Sequence, residues 1–175
     1  MRKLKPISII LLVLPTILTG QINWMSWEEA MERVEQEPRK IMLDVYTDWC
    51  NWCKRMDTTT FDQPDIATYI NDNFYAVKFD AEQRRELTYL GKTYKYVRKG
   101  TRGYHELAAR LLRGRLSYPS VVFLDENQEL IQSIVGFKTP GQFEAISTYF
   151  GDDQYKEVPW STYKERYRHY LSDPK

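Results

Sequence analysis

Two cysteines are all this 175-residue chain contains, and both lie in the run LDVYTDWCNWCKRMD, residues 43–57. Cys50 and Cys53 are separated by Asn51 and Trp52, and a tryptophan precedes each. A bridge across so short a loop constrains the unfolded chain very little, so the pair has little value as a staple. Its value is chemical. A vicinal dithiol passes between reduced and disulfide forms by exchange through a mixed disulfide. The thiolate is the attacking species, so one cysteine needs a lowered pKa, which the unpaired N–H groups at a helix N-terminus supply. With a helix starting near Trp49, Cys50 falls at that end with its sulfur exposed. Cys53, one turn later, points inward. This makes Cys50 the nucleophile and Cys53 the resolving thiol. Two metal chemistries compete with this reading. Structural zinc takes four Cys or His ligands, and only His105 and His169 are available to complete such a set. A soft ion such as Cu(I) suits two thiolates, with Met56 as a third ligand.

The flanking segments have to hold that pair in place. SWEEAMERVEQEP, from Ser26, has capping-box spacing at Ser26 and Glu29, and Trp27, Ala30, Met31 and Val34 form one helical stripe. KIMLDVYT, leading into the cysteines, is a buried strand, and WCNWCKRM opens the next helix. DQPDIATYIND is a helix with Asp62 or Gln63 as N-cap and Pro64 in its first turn. FYAVKFDAE is a second strand. LTYLGKTYKYV alternates around Gly91-Lys92 as a hairpin, and GYHELAARLLRGR is helical, ending near Gly114. YPSVVFLDENQELIQSIVGF makes two strands with a polar turn. TPGQFEAISTYF and VPWSTYKERYRHYL are helices, the second placing Tyr163, Tyr167, Tyr170 and Leu171 on one face as core cover. Alternating strands and helices with a late strand–turn–strand predict an α/β domain built on a mixed sheet.

Residues 1–20 have the layout of a cleaved signal peptide: Arg2, Lys3 and Lys5, then an apolar run from Ile7 to Leu18 broken by Pro15, then Thr19 and Gly20. Roughly 20 apolar residues are needed to span a bilayer, and this run is shorter. Residues 21–175 are then a single domain, periplasmic or secreted. With 25 basic and 24 acidic residues overall, loss of that leader leaves a near-neutral protein. Such a balance gives no electrostatic reason for a nucleic-acid or anionic-membrane partner. Hydrophobic residues make up 42% of the chain, enough for a core. A monomer is the expected state.

Strand, then DVYTDWCNWCK, then helix, in an exported α/β chain, resembles the thioredoxin superfamily. The likeness is greatest to the exported thioredoxin-like proteins with W-C-x-W-C-K-x-M and a following acidic residue. It covers roughly residues 24–150 and implies a central mixed sheet flanked by helices. Two additions depart from the minimal fold: an insertion at about 83–116, before the cis-proline strand, and an extra C-terminal helix at about 155–172. The resemblance implies that Asp44 is a buried acid serving Cys53, and that Lys78 is its lysine partner. It also implies that Pro119 is a cis-proline facing the cysteines, with the Tyr118 backbone pairing with substrate. Trp49 becomes a lid at the site, while Trp52 has no assigned role. The implied activity is thiol–disulfide exchange on disulfide-containing protein substrates, chiefly reduction, with electrons from a membrane thiol reductant. No bound cofactor is implied beyond the redox-active Cys50–Cys53 pair. The Asn-Trp dipeptide replaces the common Gly-Pro, which leaves the redox poise open. Two other classes also stay open: a client-holding, chaperone-like module with secondary redox activity, and a thiolate metal carrier. The basic insertion residues Arg84, Arg85, Lys92, Lys95, Arg98, Lys99 and Arg102 read as a solvated surface.

Overall fold

A computed structural model describes the backbone of residues 20–172 and the side chains of residues 20–167. The expected leader, residues 1–20, lies outside the described residues except for Gly20, as do the side chains of Tyr170 and Leu171.

The first element of the described residues is a short strand that the sequence reading did not anticipate, β1 (Trp24–Met25), followed by α1 (Trp27–Gln36). Ser26 caps α1 by accepting the Glu29 N–H at 3.1 Å, while Trp27, Ala30 and Val34 turn inward, as the periodicity requires. β2 (Ile41–Tyr46) is buried along nearly its whole length and leads into α2 (Asn51–Met56). A π-helical turn over Asp57–Phe61 prolongs α2. α3 (Pro64–Asn73), with Pro64 in its first turn, and β3 (Tyr75–Asp80) follow.

The segment before the next long strand holds two hairpins rather than one. β4 (Leu87–Tyr89) pairs with β5 (Lys92–Tyr94), and β6 (Tyr96–Lys99) pairs with β7 (Arg102–His105). The helix expected from Gly103 begins only at Glu106, as α4 (Glu106–Leu111). Gly103 to His105 are consumed by hairpin pairing with Arg98, Val97 and Tyr96, a cross-strand demand that helix preference does not reveal. β8 (Ser120–Leu124), β9 (Leu130–Val135), α5 (Pro140–Gly151), α6 (Gln154–Glu157) and α7 (Trp160–Ser172) complete the described chain.

The main sheet runs β1-β3-β2-β8-β9, with β1, β2 and β3 parallel and β8 and β9 antiparallel. Because successive strand residues point to opposite faces, β2 serves two cores. Leu43 and Val45 pack with Trp27, Val77 and Leu107 on one side; Met42 packs with Met56, Ile70 and Phe143 on the other. Asp44 shares its face with Met42, and Lys78 shares its face with Ala76, which also belongs to the second core. Both therefore lie under the layer of α2, α3 and α5. α7 packs its aromatic residues on α5: Tyr163 donates to Thr148 Oγ1 at 2.8 Å, and Trp160 meets Tyr149 edge-on. The two helices do not close completely. An apolar cleft of about 870 Å³, lined in part by Ile131, Ile146, Tyr149 and Trp160, remains beside them.

Candidate active site

Cys50 occupies the N-cap of α2 in extended conformation, at the point where β2 gives way to helix. Its N–H is held by the Thr47 carbonyl at 3.0 Å, and its sulfur accepts the Cys53 N–H at 3.1 Å. Cys50 and Cys53 form a disulfide. That Cys53 N–H is shared with the Cys50 carbonyl, also at 3.1 Å, and its place in the first helical turn favours negative charge on the sulfur once the bond is reduced. One expectation needs correction. Cys50 is only 5% exposed, hardly more than Cys53 at 2%. In the disulfide its sulfur is bonded to Cys53 and meets the Cys53 N–H, which turns it away from solvent.

Beneath α2 lies a charged cluster. Asp44 and Lys78 are paired residues on the parallel strands β2 and β3, and Lys78 Nζ donates to Asp44 Oδ2 at 2.5 Å. The π-turn after α2 brings a second carboxylate, Asp57, onto the same ammonium. The rings of Trp24, Tyr46 and Phe61 surround it, with centroids 4.8, 5.3 and 5.4 Å from Nζ. Asp44 is 1% exposed, and burial drives its carboxyl up to about 6 despite the pull of Lys78. Burial disfavours the Lys78 charge as well, but Asp44 and Asp57 outweigh it and hold the ammonium firmly protonated. The second Asp44 oxygen, Oδ1, is buried without a hydrogen-bond partner. A buried carboxylate with one bound and one bare oxygen, poised near neutrality, is equipped to take up and return a proton.

The rim of the site comes from distant parts of the chain. The Tyr118–Pro119 peptide bond is cis, and the Pro119 carbonyl accepts the Gly136 N–H at 2.8 Å. Tyr118 meets Trp49 edge-on at 6.0 Å, and burial raises its hydroxyl to about 12. Trp49, half exposed at 49%, donates its indole N–H to Glu82 at 3.1 Å, and Arg102 of the β6–β7 hairpin lies 4.7 Å over its ring. Trp52, 54% exposed, packs on Phe137 at 5.4 Å, with Arg55 over both rings. The sequence reading thus placed Cys50, Cys53, Asp44, Lys78, Trp49, Tyr118 and Pro119 in one neighbourhood, but it missed Asp57, Glu82, Arg102 and Phe137. Asp57 stood inside the motif as its acidic residue; the other three carry no local signal. The histidine considered for metal, His105, is buried and spends its ring otherwise. Nδ1 accepts the Leu107 N–H at 3.2 Å and Nε2 lies 2.9 Å from the Arg85 carbonyl, while burial lowers its pKa. His169 lies outside the described side chains.

Residues 13–138 match the family described as "Thioredox_DsbH: Protein of unknown function, DUF255". The chain belongs to this family. Among solved structures it is similar to a DsbH oxidoreductase, with 19% identity, TM-score 0.54, 81% of this chain and 92% of that one covered. It is also similar to a thioredoxin-fold protein from Helicobacter pylori, with 16% identity, TM-score 0.57, and 89% and 92% covered. At such identities the likeness establishes the fold, which is thioredoxin-like. A curated relative is the thiol:disulfide interchange protein DsbD of Photorhabdus laumondii, 38% identical over 53 residues, or 30% of this chain and 9% of the relative. An uncharacterised protein of Caenorhabditis elegans is 31% identical over 84 residues, 47% of this chain and 12% of that protein. The chain therefore spans about a tenth of the length of the curated relatives it matches.

Proposed function

We propose that this protein is an exported thiol–disulfide oxidoreductase that chiefly reduces protein disulfides. The observation that carries the reading is the Cys50–Cys53 disulfide at the N-cap of α2, with the buried Asp44 carboxyl and its bare Oδ1 on the strand that leads into it. In the reduced protein, the Cys50 thiolate attacks one sulfur of a substrate disulfide. A mixed disulfide forms and one substrate thiolate leaves. Cys53 then gives its proton to Asp44 and attacks the Cys50 sulfur. The second substrate thiolate is released, and the protein closes its own disulfide. The substrate gains two electrons from the Cys50–Cys53 pair, and its two thiolates take up one proton by way of Asp44 and one from solvent. The pair must then be reduced again by a thiol donor, for which a membrane thiol reductant in the same compartment is the proposed source. The cycle asks for no bound organic cofactor. Lys78 positions Asp44, while Trp49, Tyr118 and Pro119 frame the substrate chain. The similarity to a protein named for thiol:disulfide interchange supports this reading. Residues 1–20 supply the export signal in this proposal, and the domain acts as a monomer.

Insulin reduction tests it. Wild-type protein, recharged with dithiol, is expected to precipitate the insulin B chain. Cys50→Ser abolishes turnover, and Cys53→Ser stalls as a mixed disulfide visible as a mass adduct. Turnover that survives Cys50→Ser overturns the assignment. The reduction potential fixes the direction of flow: a value near about −270 mV suits a reductase, whereas one near about −120 mV makes the protein a disulfide donor.

A further inference from the structure

The two exposed tryptophans that flank the disulfide carry matching partners. Arg102 lies over Trp49 with its guanidinium carbon 4.7 Å from the ring centroid, and Arg55 lies over Trp52 at 5.2 Å. The two arginines reach these places by unrelated routes. Arg55 stands one turn beyond Trp52 on α2, whereas Arg102 opens β7 of the inserted hairpin and crosses from there to the residue preceding Cys50. Both are exposed. Among the described residues, neither forms a salt bridge and neither guanidinium donates a hydrogen bond. Other cations of the same insertion are engaged: Arg85 with Glu28 at 3.0 Å and Lys95 with Glu86 at 2.9 Å. An arginine stacked on a ring offers its edge donors to solvent, in a plane suited to a carboxylate. The hairpin from Tyr96 to His105 adds Arg98 and Lys99 and no acidic residue.

We infer that these two tryptophan–arginine pairs form a docking surface for a polypeptide whose disulfide cysteine is flanked by acidic residues. The inference rests on the oxidoreductase reading and names the substrate class of that same site. The indole faces cover apolar side chains next to the client cysteine, and the guanidinium edges pair with carboxylates on either side. Charge complementarity of this kind acts chiefly on the association rate, by about tenfold or more at low ionic strength, and it is screened by salt.

Three synthetic peptides of equal length test this, each carrying one cysteine in a mixed disulfide and differing only in acidic, neutral or basic flanks. Dithiol-reduced, desalted protein is mixed with each, and second-order rate constants are read in single turnover. The acidic peptide is expected to react at least about tenfold faster than the basic one at low ionic strength, with the ratio approaching one at high salt. Arg55→Gln with Arg102→Gln is expected to collapse the acidic-to-basic ratio, and the corresponding Arg→Lys pair to restore most of it. The ratio is internal to one sample, so changes in cysteine reactivity or folded fraction cancel. Equal rates for acidic and basic peptides, a reversed order, or a ratio unmoved by the Gln substitutions overturns the inference while leaving the oxidoreductase reading intact. Failure to react with any of the three overturns both.

Discussion

Two lysines in this molecule each hold two carboxylates, and they do opposite things. Lys40 reaches Glu126 and Asp153, both at 3.0 Å, and Lys78 reaches Asp44 and Asp57. In the Lys40 cluster the cation is buried, at 6% exposure, while both carboxylates stand partly in water. Burial weighs against those carboxylate charges, but a backbone N–H and Lys40 at Glu126, and Lys156 and Lys40 at Asp153, outweigh it and hold both pKa values below the usual range. In the Lys78 cluster an anion, Asp44, is the buried partner, and its carboxyl is driven up to about 6. The same three groups therefore make a permanent brace when the ammonium is inside and a proton acceptor when a carboxylate is. Which charge is desolvated decides between structure and chemistry: at buried Lys40 two carboxylates outweigh the loss of water and keep the charge, whereas at buried Asp44 desolvation outweighs the pull of Lys78.

The largest expected effect comes from removing the cation over the buried acid. Lys78→Met leaves the Asp44 charge buried and unpaired, which costs about 3 kcal/mol of stability at pH 8 in urea unfolding. Adding Asp44→Asn to that variant restores most of the loss. If Lys78→Met proves neutral at pH 8, the ion pair is not what holds Asp44 ionised.

Asp44→Asn alone sharpens the contrast through pH. The folded-state pKa of Asp44, about 6, lies above its ordinary value of 3.8. Wild-type stability from this group is therefore fully present below about pH 4 and is lost as pH rises through about 6, by up to about 3 kcal/mol. The variant is expected to be more stable than wild type at pH 8 and equal to it near pH 4, and slower in disulfide exchange. A stability difference that does not change with pH breaks the account of Asp44 as a titrating group.

The smallest effect belongs to the brace. Lys40→Met is expected to cost about 1–2 kcal/mol near pH 7, since Glu126 is partly in water and Asp153 keeps Lys156 as a partner. The lowered pKa values of Glu126 and Asp153 make their contribution present at neutral pH and lost as pH falls through the carboxylate range. The penalty should therefore shrink in acid, the reverse of the Asp44 profile, and disulfide exchange should be little changed. Exchange slowed as severely as in Lys78→Met would erase the distinction between the clusters.

From the one-dimensional chain, the local and periodic features were legible. The capped stripe from Ser26 to Val34, the apolar runs of β2, β3 and β8, Pro64 at the head of α3, and the dithiol between strand and helix all declare themselves within a few residues. Family resemblance, not composition or spacing, pointed to Asp44, Lys78 and Pro119 as site residues. What only tertiary structure decided was which segments pair and which side chains meet. The β6–β7 ladder overrode the helical look of Gly103 to His105, β1 is too short to carry a pattern, and Arg102 and Glu82 meet Trp49 across dozens of residues. The π-turn that presents Asp57 to Lys78 is likewise invisible in composition. Asp44's pKa belongs to this second group as well. An aspartate in a strand is an ordinary acid until the packing of α2 over β2 takes away its water, and desolvation is a property of the assembled layers rather than of any residue within them.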